Sequence, residues 1–166
     1  MTLSITSQTL GDYNAQLAYK TATAYLRQSD LAHYLIDQLE HQHVKLSVEV
    51  SSDPALADKD TSADGVIVWN LHSSTWPNPQ LSEVTALLNR SPAQQKAYLT
   101  SQWVLMHLLA LACQQLSDQL NFRDADATWP WLDEKELSAN DIEKAVALEL
   151  RDVPLPVEDN WNRVLA

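Results

Sequence analysis

The clearest periodicity in the chain lies between Val44 and Ser51, where Val44, Leu46, Val48 and Val50 alternate strictly with Lys45, Ser47, Glu49 and Ser51. Successive side chains of an extended strand point to opposite faces, so this stretch predicts a strand with one face buried and one wet. Leu3 and Ile5 alternate with polar neighbours in the same way and predict a short first strand. After Gly65, the run Val66, Ile67, Val68 and Trp69 is continuously apolar, which predicts a more central strand covered on both faces. The intervening residues 52–64 are polar, hold Pro54 and the four aspartates Asp53, Asp58, Asp60 and Asp64, and read as a loop.

The rest of the chain carries helical spacing. Asp12, just past Gly11, is placed to cap a helix running to about Arg27, and Ser29-Asp30 precedes a second helix with Leu31, Leu35 and Leu39 on one face beside Tyr34. Residues 71–80 contain Pro77 and Pro79 and predict a loop, and Leu81 to Arg90 a short amphipathic helix. Ser91-Pro92 offers an N-cap followed by proline at the first helical position, opening a helix that extends to about Leu120. Its middle, Trp103 to Cys113, is apolar all round apart from His107, as expected of the central buried helix of a domain. An aromatic loop with Trp129, Pro130 and Trp131 follows. Ser138 or Asn140 is placed to cap a last helix through Ile142, Val146 and Leu150, and a tail with Pro154 and Pro156 is expected to lie against the surface. The pattern is that of one α+β domain spanning residues 1–166.

Composition agrees with a folded domain: 166 residues suffice for a core without staples, and 45% apolar content with six tryptophans is foreign to a disordered acidic tail. Lys+Arg 11 against Asp+Glu 22 gives a net charge of −11. Non-specific binding to nucleic acid or an anionic membrane needs clustered basic residues, so both are excluded as expectations. The charge suits a basic protein partner, and it also serves solubility. Cys113 is the sole cysteine and sits in the apolar run, so no intrachain disulfide is possible and a buried structural thiol is expected. The start MTLSITSQTLGDYN lacks a basic and apolar signal, and the run from Trp103 to Cys113 is too short to cross a bilayer. The expected location is the cytoplasm.

Several strings, TATAYLRQSDLAHYLIDQLEHQHVKLSVEV, GVIVWN, SPAQQKAYLTSQW and DIEKAVALELRDVPLP, follow one another in an order that resembles the small zincin-type metallopeptidases found among bacterial secreted effectors. The resemblance covers roughly residues 20–160 and implies a zincin-like fold, a small mixed sheet packed on a long central helix. In that family the helix opened by Ser-Pro carries His-Glu-x-x-His. Two histidines one turn apart present nitrogens to zinc, and the glutamate polarises the attacking water. Aligned from Ser91-Pro92, the motif positions hold Tyr98, Leu99 and Gln102. Starting instead at His107 places Leu108 and Leu111 at the glutamate and second histidine. Neither register supplies a zinc site. The resemblance therefore implies a metallopeptidase-like protein that has lost its metal triad, with no cofactor expected, acting as a non-catalytic binding or regulatory protein such as an immunity factor or antagonist.

The alternative reading is a metal-dependent hydrolase with an unorthodox site and zinc as its cofactor. His41 and His43, two apart at a helix–strand junction, can point to one side and share a metal with a carboxylate, or form an exposed polar turn. His107 is either a third candidate ligand or a core histidine bonded to a neighbour. Asp58, Asp60 and Asp64 before Gly65 faintly echo a calcium loop, but the spacing is too long by two residues and a solvated loop is expected. Trp129 and Trp131 suit either a recognition platform or a plug for the core. With glycine only at positions 11 and 65, glycine-built phosphate cradles are excluded as an expectation.

Overall fold

The computed structural model describes residues 3–41, 44–73, 97–120, 122, 128–133 and 137–153. Four strands, β1 (Leu3–Thr6), β2 (Leu46–Ser51), β3 (Thr61–Ala63) and β4 (Val66–Asn70), form one mixed sheet in the order β1-β2-β4-β3. β1, β2 and β4 run parallel, and β3 pairs antiparallel with β4 at the edge. Among the described residues four α-helices accompany them: α1 (Asp12–Leu26), α2 (Asp30–His41), α3 (Ala97–Gln115) and α4 (Ala139–Leu150). The chain is thus an α+β protein, as its periodicities predict. No helix among the described residues is long and apolar enough to cross a membrane.

Register follows from the alternation. Leu3 lies beside Leu46 and Ile5 beside Val48, while Val48 lies beside Ile67 and Val50 beside Trp69, so the apolar members of three strands form one continuous surface. All of them are buried, in one core with α1, α2, α3 and α4. α1 packs on β1 and β2, α3 on β3 and β4, and α4 lies against α2 and α3. A single-residue slip would turn each apolar set out to water, which is why the pattern alone specifies the pairing face.

Three local expectations are corrected. β4 is central, yet among the described residues its outward face is not fully covered: Val66 is 41% exposed and Val68 half-buried. Its continuous apolar run reflects the tolerance of a parallel strand for β-branched residues rather than burial on both sides. Residues 52–64 are not all loop, since Pro54–Leu56 form a 3₁₀ turn and Thr61–Ala63 the edge strand. Asp64 and Gly65, with φ of 54° and 76°, make the two-residue turn into β4. Positive φ at both central positions marks a type I′ turn, whose twist matches the hairpin it closes. A Cβ on Gly65 would stand 2.7 Å from the carbonyl oxygen of Lys45, the residue before β2, so only glycine fits there without a shift.

Asp12 does not cap α1. Gly11 occupies the N-cap position at φ 82°, while the Asp12 carboxylate accepts from the Ser7 backbone N–H at 3.3 Å. α2 is capped as Ser29 suggests: its hydroxyl oxygen accepts from the Ala32 N–H at 3.1 Å and its proton goes to Glu149 at 2.6 Å, which ties α4 to the start of α2. Glu149 also accepts from the Leu31 N–H at 2.9 Å, a negative charge where the helix dipole favours one. Ser138 is the N-cap residue of α4 but makes no side-chain cap bond. The helix expected to open at Ser91-Pro92 is described from Ala97, and Ser91, Pro92, the expected helix at 81–90 and the proline tail lie outside the described residues.

α3 is the buried helix its apolar run predicts. Trp103, Val104, Leu105, Met106, Leu108, Leu109, Ala110, Ala112 and Cys113 are all buried. Trp69 of β4 donates its indole N–H to the Ser101 carbonyl at 2.8 Å, and Tyr25 of α1 meets Trp103 edge-on with ring centres 6.5 Å apart. Burial pushes the Cys113 thiol up to about 12, so it is an inert part of the core. Trp129 and Trp131 are half-buried and pack against the core, Trp129 lying 5.7 Å from the Tyr34 ring. They plug more than they display.

Candidate functional site

The mixed sheet and α3 together shape a groove. β1, β2, β4 and β3 bring Ser4, Ser47, Val66 and Ala63 into one row across the sheet, because Ser4 pairs with Ser47, Ser47 with Val66 and Val66 with Ala63. Beside that row, the start of β2, the Asp64-Gly65 turn and the carboxyl end of α3 enclose about 880 Å³. Gln115 at the end of α3 and Leu116 and Gln119 on the turn after it form one side, and Lys45 and Asp64 supply the charges. The hairpin is pinned to the helix there, since the Gln115 amide donates to the Ser62 carbonyl at 2.7 Å. The groove's size is that of a ligand site, and its lining mixes small apolar groups with amides and hydroxyls.

The titratable clusters lie elsewhere and are closed on themselves. His107 Nδ1 is 2.6 Å from a carboxylate oxygen of Glu143 on α4; the imidazole is 13% exposed and the carboxylate 0%. A buried carboxylate needs a partner of this kind, and the pair joins α3 to α4 inside an apolar surround.

A second cluster ties α1 to α2. Arg27 reaches Asp37 at 2.6 Å and Glu40 at 2.8 Å, the Tyr19 hydroxyl donates to Glu40 at 3.1 Å, and His33 sits 3.1 Å from Asp37. Burial raises the Tyr19 hydroxyl above the ordinary range, reinforced by the Glu40 charge and the bond to it. Burial pulls the Arg27 guanidinium down, but the Asp37 bond and the Glu40 charge outweigh it and hold Arg27 above its ordinary value.

The third cluster closes the carboxyl end of β4. Asp60 accepts from the Ser73 hydroxyl and, at 2.6 Å, from the Asn70 backbone N–H, while the Asn70 amide donates to the Asp53 carbonyl at 2.9 Å. Burial raises the Asp60 carboxyl, partly offset by the Ser73 and Asn70 bonds. Asp60 thus fastens the acidic loop to the sheet; it is neither fully solvated nor arranged with Asp58 and Asp64 round a common point, both of which are exposed turn residues at positive φ.

The residues singled out in the sequence do not converge on one site: His107 and Asp60 fall in separate clusters. His41 is exposed at the end of α2, 4.0 Å from Glu40, and His43 lies outside the described residues. His107 belongs to the α3–α4 contact. Tyr98 and Leu99 stand in the first turn of α3 with side chains outside the described set, and Gln102 is 1% exposed, deep in the core. Asp37, Glu40 and His41 offer ligand atoms within 4.8 Å of one another, the one such group among the described residues, and Arg27 is ion-paired with both carboxylates.

Glu143 and the Asp64-Gly65 turn were not singled out by sequence reasoning, and each left a signal. Ala139, Glu143 and Ala147 recur every four residues on the buried face of α4, and a charge in an apolar stripe calls for a buried partner. Asp-Gly ahead of an apolar run is the short-range mark of a hairpin. No family model, curated protein or solved structure matches the chain. The metallopeptidase resemblance therefore rests on the strings quoted above alone.

Proposed function

We propose that this chain is a non-catalytic binding or regulatory domain that engages a basic protein partner, with a metallopeptidase-like arrangement whose metal triad is gone. The observation that carries the reading is the burial of Gln102. On a catalytic helix the second metal ligand must face a cleft open to substrate and water. Here that position is 1% exposed, with Ser101 and Trp103 wholly buried on either side. The reading is also supported by a small mixed sheet with a long buried helix packed on β3 and β4, the arrangement the resemblance implies. The charge of −11 supplies the attraction for a basic partner.

The measurement is metal content of the purified protein before and after incubation with zinc, manganese or calcium, paired with hydrolysis of an unstructured peptide with and without chelator. The proposal expects no tightly held ion and no chelator-sensitive cleavage; either one overturns it. A hydrolase with an unorthodox site is the competing reading, favoured by the grouping of Asp37, Glu40 and His41. For that reading to hold, a His41→Ala variant must lose the ion and the cleavage together.

A further inference from the structure

The two edges of the sheet are protected unequally. β3 closes one edge between Asp58, Lys59 and Asp60 on one side and Asp64 on the other, and the Gln115 amide occupies its Ser62 carbonyl at 2.7 Å. Charges and covering groups are the usual devices that keep a strand edge from pairing with another chain. β1 closes the other edge with neither. Residues 1–11 contain no charged side chain and no proline, although charged residues make up 20% of the chain. β1 pairs with β2 in unbroken register from Leu3 to Thr6, and among the described residues its backbone makes no other hydrogen bond. Leu3 and Ile5 are buried, while Ser4 and Thr6 are exposed. An edge strand turns part of its N–H and C=O groups away from its neighbour, so β1 presents a short row of unpaired donors and acceptors.

We infer that β1 is the contact between two copies of this chain, paired antiparallel about a twofold axis normal to the sheet, so that the two sheets become one. An axis at Ser4 sets Leu3 opposite Ile5 of the second copy, and one at Ile5 sets Ser4 opposite Thr6. In both, every side chain meets one from its own face of the sheet, and the two Ser4 side chains are opposed or diagonal neighbours on the exposed face. Charge decides the occupant. The net charge of −11 opposes self-association wherever carboxylates of two copies are brought together, and this strand brings none. The same pairing at β3 sets Asp58, Asp60 and Asp64 near their counterparts. A basic segment, for its part, finds no carboxylate on β1 to attract it. Four residues give few bonds, so the dimer is weak, with a Kd on the order of 10–100 μM.

The test is sedimentation velocity of the whole chain from about 5 μM to about 1 mM, with amide hydrogen exchange followed at both ends of that range. The mass is expected to rise from monomer toward dimer, and exchange at Leu3–Thr6 to slow with it while exchange at Thr61–Ala63 does not change. Ser4→Lys and Ser4→Glu each set like charges across the axis at an exposed position, and each is expected to raise Kd at least about tenfold. An equimolar mixture of the two variants is expected to associate again, which a merely misfolded variant does not do. Thr61→Lys, exposed on the β3 edge, is expected to change Kd by less than about twofold. A monomer at every concentration, a dimer that both Ser4 variants leave intact, no recovery in the mixture, or dissociation by Thr61→Lys overturns the assignment. Slowed exchange at Leu3–Thr6 that needs an added lysine-rich peptide overturns it as well and makes β1 a site for a partner's strand.

Discussion

Replacing His107 with leucine removes the imidazole that faces a fully buried carboxylate. Nδ1 and the Glu143 oxygen are 2.6 Å apart, and Glu143 has no exposed surface through which water can take the place of the ring. Breaking a buried pair by deleting one partner typically costs about 3–5 kcal/mol, because the remaining charge keeps its desolvation penalty. Leucine regains some apolar contact on a helix whose neighbours Trp103, Val104 and Leu111 are apolar, so the lower end, ~3 kcal/mol, is expected. For a domain of this size that lowers Tm by roughly 6–12 °C. Glu143→Met removes the carboxylate and leaves the imidazole, 13% exposed, without that partner, at a cost of about 1–2 kcal/mol. The double variant replaces both partners by apolar groups and is expected within about 1 kcal/mol of the parent, as replaced buried pairs often are. Urea denaturation of the four proteins, read by tryptophan fluorescence and circular dichroism together, gives the coupling energy. A His107→Leu cost below about 1 kcal/mol, or a double variant as unstable as the sum of the singles, refutes the reasoning that the pair is coupled and desolvated.

Other outcomes follow from the same structure. Gly65→Ala puts a Cβ 2.7 Å from the Lys45 carbonyl at φ 76°, whereas Gly11→Ala meets nothing within 4 Å at φ 82°. Both lose about 1 kcal/mol to backbone strain, and only the Gly65 variant is expected to lose at least twice that in urea melts. Cys113, its thiol pushed up to about 12 by burial, is expected to resist a thiol reagent at pH 8 until denaturant is added; native-state labelling contradicts the burial. Tyr19 is raised above the unfolded value of 10.0 by burial and by Glu40. Above that value the folded state then holds a proton the unfolded state has lost, so stability falls as pH rises past about 10. Tyr19→Phe is expected to flatten that alkaline decline while costing about 1.5–3 kcal/mol at neutral pH through the lost bond to Glu40, read from melts across pH.

Much of the fold was legible because burial leaves a period in the sequence. The strict alternation from Val44 to Ser51 specified β2 and its buried face. The leucines at 31, 35 and 39 specified the inner side of α2, and the all-apolar run from Trp103 to Cys113 specified the depth of α3. The reading failed where two environments write the same pattern. An apolar run cannot distinguish a strand covered on both faces from one like β4, whose Val66 is exposed and Val68 only half-buried. A polar stretch likewise hid β3, because an edge strand of three small residues, Thr61–Ala63, buries too little to show a period.

What the sequence determined alone was composition-level and periodic: an α+β chain with a thiol in its core, no bilayer-length apolar helix among the described residues, and no His-Glu-x-x-His on its long helix. Tertiary structure decided which charged residues meet. Arg27 with Asp37 and Glu40, His107 with Glu143 across 36 positions, and Ser29 with Glu149 across 120 are contacts between different elements. Local periodicity records whether a side chain faces the core. It does not record which other element brings the complementary group to that point in space, and ion pairs, like the groove at the end of α3, exist only once the elements are docked.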